Sequence, residues 1–124
     1  MQRATVHDIG KVIVADNTEA AVKFAAISGS AGDIAVVAAV TGKAILVLSY
    51  HIVPSAVAGT MRWESGAGGT ALTGAMQTGI TGDTNVLILK DSNPRGLFKT
   101  AAGAALSLEA TTVNAAGHVT YVEV

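Results

Sequence analysis

Residues Ile34–Val53 read IAVVAAVTGKAILVLSYHIV, an apolar run with the length of a membrane helix. Thr41-Gly42-Lys43 stands near its middle and Pro54 follows directly, so the run divides into two strand-length pieces either side of a turn. Both pieces are rich in Val, Ile and Leu, which suits strands. The stretch therefore predicts two strands and no membrane span.

The same punctuation recurs along the chain. Strands are predicted at Ala20–Ile27, Ile34–Thr41, Ala44–Val53, Gly59–Glu64, Thr70–Met76, Asn85–Lys90, Leu97–Lys99, Ala104–Thr111 and His118–Val124, separated by SGSAGD, TGK, SGAGG, TGITGDT, SNPRG, AAG and NAAG. The one segment with a competing reading is FKTAAGAALSLEA: alanine favours helix, but Gly103 interrupts it and ALSLEA alternates. Evenly spaced short strands predict an all-β fold, a single antiparallel β-sandwich of about eight strands, jelly-roll or immunoglobulin-like. At 124 residues this is one domain, read as an N-terminal arm over 1–16 and the sandwich over 17–124. The arm lacks the long apolar core and cleavage site of a signal peptide.

Strict alternation over Ala44–Val53 places Ala44, Leu46, Leu48, Tyr50 and Ile52 on one face, and Ile45, Val47, Ser49, His51 and Val53 on the other. Both faces are largely apolar, and no helical segment is available to cover the second. One face is expected to fill the core and the other, with Ile45 and Val47, to meet another subunit. In TMRWES, Met61 and Trp63 oppose Arg62 and Glu64, which predicts a half-exposed strand. Arg3, Lys11, Val12, Ile13 and Val14 are the arm's candidate contacts, through a strand added to a partner's sheet edge.

Composition supports association. The chain is 50% hydrophobic but only 14% charged, against about 25% in a typical soluble domain. So few charges cover little of a small sandwich, leaving apolar outer surface for other chains. A homo-oligomer is expected, trimer ahead of dimer. The basic residues are scattered and the formal net charge is -1, so no nucleic-acid footprint is predicted. No cysteine is present to form a disulfide or thiolate site.

Trp63–Ala71, WESGAGGTA, imitates a dinucleotide-binding loop: Gly66, Gly68 and Ala71 fit G-x-G-x-x-G/A, and Asp91 follows. Such a loop must open a helix, whereas LTGAMQTGITGD contains three further glycines. A hairpin turn with positive-φ glycines is expected instead. His7, His51 and His118 lack metal-ligand spacing, Ser30 sits in a turn without a nucleophile elbow, and no pair stands out among Asp33, Glu64, Asp83, Asp91, Glu109 and Glu123. No catalytic residue, cofactor or metal is predicted. Trp63 is read as a core anchor.

Val36–Met76, VVAAVTGKAILVLSYHIVPSAVAGTMRWESGAGGTALTGAM, followed by Asn93–Val124, NPRGLFKTAAGAALSLEATTVNAAGHVTYVEV, resembles a family of small bacteriophage structural proteins of the capsid decoration, or cement, type. In these a VLSY strand, a W.SG...LTG.M hairpin, an NP.G.F.T..G.AL.L segment and a terminal GH.TY.EV strand follow in the same order. The apolar NVLILKD departs from the short polar loop usual there. The resemblance implies a β-sandwich on the outer capsid surface of a virion, self-associating and clamping major capsid protein subunits, with no membrane partner. The rival expectations are a receptor- or glycan-binding module of a head or tail fibre, using Trp63, and a neck or tail structural protein.

Overall fold

The structure is a computed structural model that describes residues 11–13, 19–55, 58–79 and 87–124. The described residues form twelve strands: β1 (Lys11–Ile13), β2 (Glu19–Ala21), β3 (Lys23–Gly29), β4 (Gly32–Val37), β5 (Ile45–Pro54), β6 (Thr60–Ser65), β7 (Thr70–Ala71), β8 (Met76–Gln77), β9 (Leu89–Ser92), β10 (Phe98–Lys99), β11 (Leu106–Thr111) and β12 (Ala115–Glu123). All pairings among them are antiparallel. The first sheet runs β10-β5-β12-β3, with β9 also on β5. The second runs β4-β11-β6-β7, with β8 also on β6. The expected β-sandwich is present. The count exceeds eight because short pieces such as β7, β8 and β10 pair independently.

From β3 onward the chain passes repeatedly from one sheet to the other, and the TGK turn is one of these passages, carrying it from β4 to β5. FKTAAGAALSLEA resolves as β10, a turn at Ala102-Gly103, and β11. Alternation decided this segment because Leu106, Leu108 and Ala110 enter the core in turn.

Both inner faces fill one core. Ile27, Ile45, Val47, Tyr50, Ile52, Val119 and Tyr121 come from the first sheet, and Ile34, Val37, Met61, Trp63, Leu106 and Leu108 from the second. At its centre the fully buried Trp63 ring tilts against Tyr50 at 5.6 Å and Phe98 at 6.0 Å, joining the sheets through aromatic edges and faces. This is the anchor role read from the sequence.

The expected face assignment of β5 needs a correction. Thr120 pairs with Ser49 but Tyr121 pairs with Val47, so Leu48 is an extra residue, a β-bulge. The bulge shifts the alternation by one. Ile45 and Val47 point inward before it, Tyr50 and Ile52 point inward after it, and all four belong to the core. Ile45 and Val47 are fully buried within this subunit, so their assignment to an outer contact face is overturned. Ser49, His51 and Val53 do lie on the outer face.

Of the arm, Lys11–Ile13 pairs antiparallel with Glu19–Ala21 of the same chain, in a two-stranded ribbon apart from both large sheets. This ribbon straddles the 16/17 boundary. Lys11, Val12 and Ile13 thus have an intrachain main-chain partner, while Arg3 and Val14 lie outside the described residues.

Candidate functional site

Two surfaces carry chemistry. The first is the outer face of the β9-β5-β12-β3 array. Register places Ser92, Ser49, Thr120 and Phe24 in one row, and Lys90, His51, His118 and Ala26 in the next. Val53, Ala116 and Ser28 form a third row, and Ile88 immediately precedes β9. The Ser49 and Thr120 hydroxyls hydrogen-bond to each other, and the His51 and His118 rings stack 5.8 Å apart, nearly parallel. Apart from the histidines, Lys90 is the one charged side chain in these rows. Phe24 is 73% exposed, and Val53 and Ile88 are both more than 40% exposed. Small side chains with exposed apolar ones at the margins make this face able to pack against another protein.

The second surface is on the opposite side of the sandwich, where outward-facing positions of β4, β11 and β6 meet. Glu109 of β11 stands between Asp33 of β4 and Arg62 of β6, while Glu64 lies one outward position further along β6. Carboxylate oxygens of Asp33, Glu64 and Glu109 all lie within 4.8 Å of one another. Arg62 donates from Nη2 to Glu64 Oε2 at 3.0 Å and to Glu109 Oε2 at 3.2 Å. Three carboxylates against one guanidinium leave a formal charge of −2 (−3 + 1).

Glu64 departs from the half-exposed strand expected of TMRWES, because its side chain is fully excluded from solvent. Its Oε1 has no hydrogen-bond partner. Burial first, then hydrogen-bonding proximity to the Asp33 and Glu109 carboxyls and the charge of Glu109, push the Glu64 carboxyl above the usual carboxylate range, against the pull of Arg62. The negative charge of Glu109, with the contact to Glu64, holds the Arg62 guanidinium still more firmly protonated.

Next to this cluster, residues 66–69 form the turn between β6 and β7, with Gly66 at φ 82° and Gly68 at φ 66°. The WESGAGGTA segment is therefore a hairpin, and no helix follows it among the described residues. A side chain at Gly68 would approach Asp33 Oδ2 at 4.0 Å, so the turn borders the carboxylates.

Among the residues weighed from sequence, the fold brings His51 and His118 together and gathers Asp33, Glu64 and Glu109. Trp63 is enclosed in the core and presents no face to a sugar. Asp91 lies on exposed β9, and His7 and Asp83 fall outside the described residues. The available signal for the acidic cluster was that each carboxylate directly adjoins an inward-facing apolar residue of its strand, Ile34, Trp63 or Leu108, and so points outward. Only strand order shows that they point to one place. Comparison of the chain with protein-family models, characterised proteins and solved structures finds no match.

Proposed function

We propose that this chain is a structural subunit that binds other proteins through the outer face of its first sheet. In the role suggested by its likeness to capsid decoration proteins, it self-associates on the outside of a virion shell and reinforces contacts between major capsid subunits. The observation that carries the reading is the β9-β5-β12-β3 face, where one lysine is the charged residue outside a histidine pair and Phe24, Val53 and Ile88 stand exposed. The exposed apolar side chains contribute roughly 25 cal/mol per Å² covered, and the serine, threonine and histidine side chains between them can exchange water for hydrogen bonds to a partner.

Sedimentation of the full chain at micromolar concentration tests the first step, with an oligomer expected. Val53→Asp, at an exposed site, should shift it toward monomer while leaving the thermal transition in place. A monomeric wild type, or an oligomer indifferent to charge at positions 24, 53 and 88, would sink the assignment of this face. Gel densitometry of purified particles tests the second step: stoichiometry in proportion to the shell protein is expected, and a few copies per particle would indicate a neck or connector role.

A further inference from the structure

We propose that Asp33, Glu64 and Glu109 form a calcium-binding site on the outer face of the second sheet, independent of the docking reading. The donors are carboxylate oxygens, a set suited to hard cations rather than to zinc or copper. With separations no greater than 4.8 Å, small side-chain adjustments let the three oxygens close on a common centre at the roughly 2.4 Å typical of Ca²⁺–oxygen bonds. One divalent ion would cancel the local charge of −2 left after Arg62.

A second observation distinguishes this cluster from ordinary surface acids. Glu64 is wholly buried, and its Oε1 is without a partner although the carboxyl lies beside those of Asp33 and Glu109. A buried carboxylate oxygen with no donor is costly, and two neighbouring carboxylates supply none while ionised. A cation held among the three carboxylates removes this deficit and the repulsion together. Asp33 is exposed, so water has access to complete the coordination shell. Three adjacent, hydrogen-bonded strands present the ligands, which limits the ordering needed on binding. The open side of the site places the expected affinity near the weak end for calcium modules, Kd about 10⁻⁴ to 10⁻³ M.

The test is titration of the chelator-treated full chain with CaCl₂ at pH 7, followed by calorimetry and by thermal melting. Tb³⁺ luminescence excited through Trp63, the sole tryptophan and the residue before Glu64, gives a second readout. Saturable 1:1 Ca²⁺ binding and a raised melting temperature are expected. Asp33→Asn and Glu109→Gln should each weaken binding by about tenfold or more, since loss of one charged ligand from so small a set is decisive. Asp91→Asn, on the other sheet, should leave binding unchanged. Both cluster variants keep side-chain shape at sites with solvent access, and their melting in chelator checks the fold. Should one variant misfold, the other decides. Absence of saturable Ca²⁺ binding at millimolar concentration overturns the proposal and leaves a proton shared among the carboxyls as the means of relieving Glu64. Binding unaltered in both variants, or tighter binding of Mg²⁺ than Ca²⁺, also overturns it.

Discussion

Glu64 and Trp63 are neighbours in sequence and point to opposite sides of β6, and each makes a distinct thermodynamic demand. Because the Glu64 carboxyl is pushed above the usual range, chiefly by burial, the folded chain holds a proton there more tightly than the unfolded chain does. Its contribution to stability is then fully present below the ordinary glutamate value, about 4.3, and is lost as pH rises through the folded value. At pH 7 without divalent cations, Glu64→Gln should therefore raise the melting temperature by roughly a few degrees, with the gap to wild type closing as pH falls toward 4. Circular dichroism melts across that range check the sign. A variant less stable at pH 7 in chelator would mean that the Arg62 contact outweighs the burial of charge. On the core side, Trp63→Ala should cost about 3–5 kcal/mol in denaturant unfolding, as expected for emptying a fully buried aromatic site. Trp63→Phe should cost much less, because the lost indole Nε1 is a buried donor that makes no hydrogen bond.

The elements were legible in the sequence wherever the side-chain period was undisturbed. In β6 alternation set Met61 and Trp63, both in the core, against Arg62 and Glu64, and in ALSLEA the same period marked a strand, whose Leu106 and Leu108 enter the core. In β5 it failed at Leu48, since a single bulged residue reverses the facing of everything on one side of it and leaves no mark in an apolar strand. Gly117 shows a related limit. NAAG reads as a turn, yet β12 begins at Ala115 and passes through Gly117, opposite Ile52 and Ile27. Gly117 adopts φ 148°, and a Cβ there would collide with the main-chain oxygen of His51. Glycine at this position permits close approach of β12 to β5, a tertiary requirement absent from local turn statistics. Gly117→Ala should destabilise by about 2–4 kcal/mol, combining strain with displacement of the central strand pair. Gly74→Ala has open space around it and should fall within about 0.5 kcal/mol of wild type. Equal effects at both positions in chemical denaturation would refute this distinction.

For the whole molecule, low charge content pointed to apolar outer surface; among the described residues the exposed large apolar side chains are Phe24 and Val53 on the β9-β5-β12-β3 face and Leu87 and Ile88 leading into β9. The acidic cluster escaped the sequence because Asp33, Glu64 and Glu109 come from three separate strands whose adjacency is fixed only by the sheet order β4-β11-β6. The N-terminal segment connects fold to assembly. Among the described residues β1 pairs only with β2, as a two-stranded ribbon separate from both five-stranded sheets, and such a ribbon has little stability of its own in water. Deleting the first fifteen residues should therefore leave the sandwich folded, with a melting temperature changed by a few degrees, as for a loss of about 1 kcal/mol or less. Assembly then separates the roles. If truncated chains sediment as monomers or no longer bind shells, the segment provides the tether, and its pairing with β2 docks that edge against a neighbour. If they associate as the full chain does, the outer sheet face alone sustains the contact, and Val53→Asp should abolish association in the truncated protein. If the truncated chain fails to fold, the ribbon is integral to the domain, and the boundary between arm and sandwich is wrong.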